Sequence, residues 1–361
     1  MISTVKVEHT FKSCRGENNM KAETIVLNRE RNVTLTCYLQ EVEGEFGFHK
    51  RPAMIVLPGG GYKICSDREA DPVALAYAKA GYQTFILRYT LKDFGPWPMP
   101  LDDYEEAFSL VCENAETWHV DTEKIAVVGF SAGGHLAACA ATMAGHKPAA
   151  AILIYPATMR EIVDLCQPGM PCPHEHVDGD TCPCFLAACR DDHSVDIRNT
   201  LTLELALAEK GIPFEAHIYS YGGHGFSTAE SWVITSEVSG RVSKWVQDSI
   251  DWLAETMGRL TRKGFTEPDQ NLCLNADHSP VLSIMCSLQH IRKQNDDVQV
   301  LLKPFYDDMA LAAEKGGFPL EALYDAIGNS TVKELMETLC FSEQQMTEID
   351  QSLHQIVNQP D

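Results

Sequence analysis

Two apolar periods alternate along most of the chain. Residues 33–39 (VTLTCYL) alternate apolar and polar, as a strand with one covered face does, whereas 53–57 (AMIVL) are apolar throughout, as a strand covered on both faces must be. Further buried-strand candidates are 84–87, 125–128, 151–155, 185–188 and 214–219, separated by stretches with helical apolar spacing. Strand then helix, repeated, predicts an α/β architecture: a mostly parallel central sheet flanked by helices, starting antiparallel at its N-terminal edge. The helical pattern at 74–80 stops at Gly81 and that at 201–210 stops at Gly211, each glycine suited to the left-handed position after a helix. A helix over about 236–257 closes this part.

Beyond Lys263-Gly264 the apolar period becomes helical only. Pro319 is placed to open one helix, and the capping boxes Thr331-x-x-Glu334 and Ser342-x-x-Gln345 open two others. The pattern therefore divides the chain into a large α/β domain, 1–264, and a helical C-terminal appendage, 265–361, whose role the sequence leaves open. Its amphipathic helices suit packing on the α/β body, homo-oligomerisation or docking of a partner equally.

Charge and composition narrow the partners. The 361 residues carry a formal net charge of −22, and the appendage is the more acidic part, with five basic and sixteen acidic side chains. Such a field repels phosphate backbones and anionic membrane surfaces, so neither nucleic acid nor a membrane is an expected partner. The 13 cysteines are odd in number and several fall in apparent core strands, which fits a reducing, cytoplasmic setting better than an oxidising one. The first twenty-odd residues hold no apolar h-region and no run of 18 apolar residues occurs, so no signal peptide or membrane span is expected.

The chemistry concentrates at Gly129-Phe-Ser-Ala-Gly133, a G-x-S-x-G run between an apolar strand and a helix of small residues. A turn that tight leaves the Ser131 hydroxyl projecting at the sheet edge over a helix N-terminus, where it is the candidate nucleophile. Serine needs a base, and the base needs an acid to fix its tautomer. Strand 185–188 runs into Asp191 and Asp192, and strand 214–219 into the loop that carries His224. Neighbouring side chains at a strand end diverge, so only one of the two reaches the imidazole; Asp192 is favoured, and the other is expected to be a surface carboxylate. His135 and His217 read as packed or hydrogen-bonded structural groups, and His193 as exposed. The glycines after strand 53–57 and the residue after the nucleophile offer backbone N–H groups for an oxyanion: Gly60, Gly61 and Ala132.

The segments PGGGY (58–62), SDREADPVA (66–74), PMPLDD (98–103), GFSAGGHLA (129–137) and YGGHGFS (221–227) together resemble the acetyl-esterase branch of the α/β-hydrolase superfamily, related to feruloyl-esterase-like and xylan esterases. The resemblance covers roughly residues 20–260. It implies the α/β-hydrolase fold and a serine carboxylesterase needing no cofactor, acting on a small ester such as an acetylated oligosaccharide. It also supports Asp192, because the family's acid precedes a valine by three residues, as Asp192 precedes Val195. Tyr62, Arg68 and Trp97 are candidates for bordering the substrate pocket. Two departures stand out: Pro58 where many relatives have histidine, and Val195-Asp196 where Val-Pro is usual. An arylformamidase is the nearest rival activity, and a binding protein on the same fold is the rival from another class. The cysteines and histidines crowded into 166–184 are soft ligands, yet their irregular spacing lacks paired C-x-x-C knuckles, so no metal is expected.

Overall fold

The computed structural model describes residues 20–42, 46–268, 276–277, 279 and 281–358. The opening segment 1–19, on which the expectation of no signal peptide rests, lies outside the described residues, as do Cys14 and Cys273. The chain divides into compact units at 1–272 and 273–361.

In the first unit, eight strands form one sheet: β1 (Lys21–Asn28), β2 (Val33–Leu39), β3 (Arg51–Leu57), β4 (Gln83–Arg88), β5 (Val120–Phe130), β6 (Ala150–Ile154), β7 (Cys184–Cys189) and β8 (Phe214–Tyr219). Their spatial order is β1-β2-β4-β3-β5-β6-β7-β8. The pairs β1/β2 and β2/β4 are antiparallel and every later pair is parallel, the change of direction the apolar pattern announces. Five helices connect the strands, α1 (Asp71–Lys79), α2 (Met99–Glu113), α3 (Ala132–Met143), α4 (Arg160–Cys166) and α5 (Arg198–Glu209), and α6 (Lys244–Met257) follows β8.

The two-residue period of the strands divides the core between the two faces of the sheet. Ala53, Ile55 and Leu57 of β3 join Val127 of β5 and side chains of α2, α3 and α5 on one face. Met54 and Val56 join Val128, Phe130 and side chains of α1 and α6 on the other. A continuously apolar strand is the consequence, since neither face of β3 meets water.

One strand goes unannounced by the apolar pattern and two expectations are corrected. The edge strand β1, KAETIVLN, is half-exposed and too polar at its start to stand out as a strand. β8 is only partly buried because it forms the opposite edge, with Phe214 and Ile218 exposed. The last helix begins at Lys244, not near 236: the preceding residues, Gly240 among them, form turns, and the buried stripe starts at Trp245.

Among the described residues of the second unit the regular elements are helices, besides isolated bridges: α7 (Leu288–Arg292), α8 (Asp296–Leu301), α9 (Lys303–Gly316), α10 (Leu320–Ile327), α11 (Val332–Thr338) and α12 (Glu343–Leu353). Its own core gathers Leu282, Phe305, Met309, Val332, Met336 and Leu353. Pro319 precedes α10, and both capping boxes form, Thr331 with Glu334 and Ser342 with Gln345. Among the described residues, no helix is long and apolar enough to cross a membrane.

Candidate active site

Parallel strands deliver their following loops to one edge of the sheet, and four of these loops meet there. β3 leads into Gly59-Gly60-Gly61, β5 into Ser131, β7 into Asp191-Asp192, and β8 into the loop carrying His224.

The turn at Ser131 depends on close approach. Ser131 has φ 52° and ψ −114°. A Cβ on Gly133 would stand 2.1 Å from the Leu57 carbonyl oxygen, and one on Gly129 would stand 2.1 Å from that of Gly133, so only glycine lets α3 start so near the sheet. The Ser131 backbone is anchored on both sides, its N–H donating to Ile154 O (3.0 Å) and its carbonyl accepting from His135 and Ala157.

Ser131, His224 and Asp192 are brought together. His224 Nε2 lies 2.9 Å from Ser131 Oγ, and Nδ1 lies 2.6 Å from Asp192 Oδ2. A carboxylate only accepts, so Nδ1–H donates to Asp192 and Nε2 is left to accept the serine proton. The Asp192 side chain is 1% exposed, and its second oxygen accepts the N–H groups of Ser194 and Val195, both at 2.8 Å. The turn closes without the usual proline: Asp196 instead accepts from the backbone and side chain of Arg198 at the start of α5. Pro58, the other departure, accepts from Tyr89 Oη through its carbonyl at 2.6 Å.

Gly60 and Gly61 follow Gly59, on which a Cβ would stand 3.0 Å from Ser131 Cβ, and Ala132 follows the serine itself; the backbone N–H groups of all three find no partner among the described residues. Gly60 and Gly61 have φ 133° and 62°, conformations natural to glycine. The space over Gly61 is open, with nothing within 4 Å of an added Cβ.

The three pocket-border candidates each have partners of their own. Tyr62 is 3% exposed and its phenol binds His135 Nδ1 at 2.7 Å. His135 Nε2 donates to Pro171 O at 2.9 Å, so Nδ1 accepts the phenol proton; burial lowers this imidazole's pKa to about 4 and keeps it neutral. Trp97, half-buried, meets the same imidazole edge-on at 5.6 Å. Arg68 donates to the carbonyls of Gly225 and Val233, fastening the loop that bears His224.

Asp191 is not the free surface carboxylate expected. Its Oδ1 accepts the N–H groups of Gly222 and Gly223, both at 3.0 Å, so the two adjacent aspartates hold the histidine loop from two sides. The sequence signal was present in two glycines just before His224, whose unpaired N–H groups need an acceptor.

Of the cysteine- and histidine-rich stretch, His174 Nδ1 pairs with the Thr158 carbonyl, and Cys184 is buried at the start of β7 beside the Cys182 carbonyl. Among the described residues no three His, Cys, Asp or Glu side chains converge as metal ligands.

Comparison with known proteins finds two family models. BD-FAE matches residues 44–152, and the dienelactone hydrolase family matches residues 102–257. An α/β-hydrolase enzyme, MGS-M1, from a Medee basin deep-sea metagenome library is 39% identical over 67% of this chain and 99% of its own, with a TM-score of 0.63. An acetyl ester-xyloside bifunctional hydrolase from Caldicellulosiruptor lactoaceticus is 28% identical over 63% of this chain and 88% of its own, with a TM-score of 0.56. An acetylxylan esterase from Xylanibacter ruminicola is 27% identical over 57% of this chain. The chain spans 33% to 46% of the length of the first curated relatives it matches.

Proposed function

The chain belongs to the esterase-like α/β-hydrolases, and from that premise we propose that it hydrolyses small carboxylic esters through Ser131, His224 and Asp192. The observation that carries this reading is the unbroken hydrogen-bond path from Asp192 through His224 to the Ser131 hydroxyl, beside free N–H donors.

In this reading Ser131 Oγ attacks the ester carbonyl carbon as its proton passes to His224 Nε2. Asp192 holds Nδ1–H and stabilises the imidazolium. The carbonyl oxygen becomes an oxyanion between the N–H groups of Ala132 and of Gly60 or Gly61, at the positive end of α3. Collapse expels the alcohol, which takes the proton from Nε2 and leaves an acyl-serine. Water attacks that ester with His224 again as base, the carboxylic acid departs, and Ser131 is restored. No step calls for a metal or organic cofactor.

We propose further that the acyl group is acetyl and the alcohol a sugar hydroxyl. The support is that relatives carry the names acetylxylan esterase and acetyl ester-xyloside hydrolase. The test is a panel of 4-nitrophenyl acetate, butyrate and octanoate, methyl ferulate, acetylated xylo-oligosaccharide and N-formylkynurenine. The reading expects kcat/KM to be highest for acetyl esters and acetate to be released from the oligosaccharide. Preference for N-formylkynurenine would overturn it in favour of an arylformamidase, and absence of all turnover would favour a binding protein.

A further inference from the structure

One buried carboxylate lies between the two loops that the proposed chemistry must bring to Ser131. Glu69, at the end of the short turn Asp67–Glu69, is 4% exposed. Its Oε2 accepts the Gly59 N–H at 2.8 Å, at the head of the glycine loop. Its Oε1 accepts the Tyr155 hydroxyl at 2.8 Å. That hydroxyl in turn accepts the Ser227 N–H at 3.0 Å, three residues after His224, and the Tyr155 ring meets the His224 imidazole at 4.8 Å between centroids.

The surroundings are tight. A Cβ on Gly59 would stand 2.8 Å from Glu69 Oε2, 2.7 Å from the Phe130 carbonyl oxygen and 3.0 Å from Ser131 Cβ, so the peptide that Glu69 grips is pressed against the serine. Tyr155 and Ser227 both have positive φ, 38° and 49°, as Ser131 does. Such backbone persists only where neighbouring contacts over-determine it, and Glu69 supplies contacts to both sides.

We infer that Glu69 is a positioning residue, whose carboxylate ties the loop of oxyanion donors to the loop of His224 so that both meet Ser131 in one geometry. A carboxylate serves because both neighbours are donors. A glutamine accepts through one oxygen only and turns an N–H toward the other donor. Burial pushes the Glu69 carboxyl above its ordinary pKa, so the chain maintains an acidic group where desolvation opposes its charge. Both carboxylate oxygens are used as acceptors, one for each loop.

This inference rests on the ester-hydrolase reading, and kinetics on folded protein separate the two. Glu69→Gln is expected to lower kcat on 4-nitrophenyl acetate at least tenfold with KM within threefold, and Tyr155→Phe to do the same should Glu69→Gln fail to fold. Because the Glu69–Tyr155 bond belongs to both roles, the double variant is expected to lose clearly less than the product of the two single losses. Wild-type turnover with both folded variants within twofold in kcat would overturn the role of Glu69 alone, as would losses that multiply in the double variant. Absence of wild-type turnover would overturn the reading beneath it.

Discussion

Serine stands at the N-cap of α3 in the first unit and at the N-cap of α12 in the second, and the two hydroxyls are used in opposite ways. Ser342 has φ −74° and ψ 154° and its side chain accepts the Gln345 N–H, as an N-cap ordinarily does. Ser131 has φ 52° and makes no capping bond; its hydroxyl points to His224. The contrast extends beyond these two helices, although α9 and α10 of the second unit also lack a side-chain cap. None of α1 to α6 has a side-chain N-cap bond, whereas α7, α8, α11 and α12 are capped by Ser287, Asn295, Thr331 and Ser342. Helices laid on a central sheet are held by burial, and at α3 this leaves the N-cap hydroxyl to face His224. In the second unit, caps at four helix starts add to the stability that the helical core supplies.

The largest effect that sharpens this comparison is Ser131→Ala. It is expected to reduce kcat by on the order of 10⁶, with no loss of melting temperature, because the hydroxyl caps nothing. A substantial drop in melting temperature would erase the distinction between the two serines. Next comes Asp192→Asn, which keeps the shape but offers the imidazole an N–H; kcat is expected to fall by about 10⁴ in steady-state assays.

A smaller effect concerns stability in acid. His135 is buried neutral with its pKa lowered to about 4, against about 6.5 in the unfolded chain. The unfolded state therefore binds the extra proton across that window, and stability falls as pH drops from about 6.5 to about 4, by at most about 3 kcal/mol. Burial moves Glu69 in the opposite sense, so the readout is the difference in urea midpoint between wild type and His135→Gln at pH 7 and 4.5. Equal pH slopes would contradict the assignment.

The smallest effect belongs to the second unit. Ser342→Ala and Thr331→Ala are each expected to lower stability by about 1 kcal/mol, seen as an earlier transition in calorimetry, with esterase turnover unchanged. Lost turnover would mean that the caps act on the first unit's chemistry.

What the sequence made legible follows the range of the interactions. Ser131 lies in a local motif, and the continuous apolar runs of β3 and β7 place the loops after them at one edge of the sheet. The capping boxes are equally local, three residues apart. The polar edge strand β1 escaped because its exposed face carries no pattern to read. Asp191 reads as a surface group in the sequence because its partners, Gly222 and Gly223, are 31 and 32 residues away. Glu69 sits inside a motif segment, yet its bond to Tyr155 joins positions 86 residues apart, and no spacing in the chain encodes it. Tyr62 had the right loop, but its side chain turned to His135, a direction set by tertiary packing.

The most direct test is peptide mapping after reaction with a serine-directed fluorophosphonate. The account predicts close to one label per chain, located on Ser131, and neither label nor 4-nitrophenyl acetate turnover in Ser131→Ala. Wild-type turnover with the label on another serine, or undiminished turnover by Ser131→Ala, would contradict it.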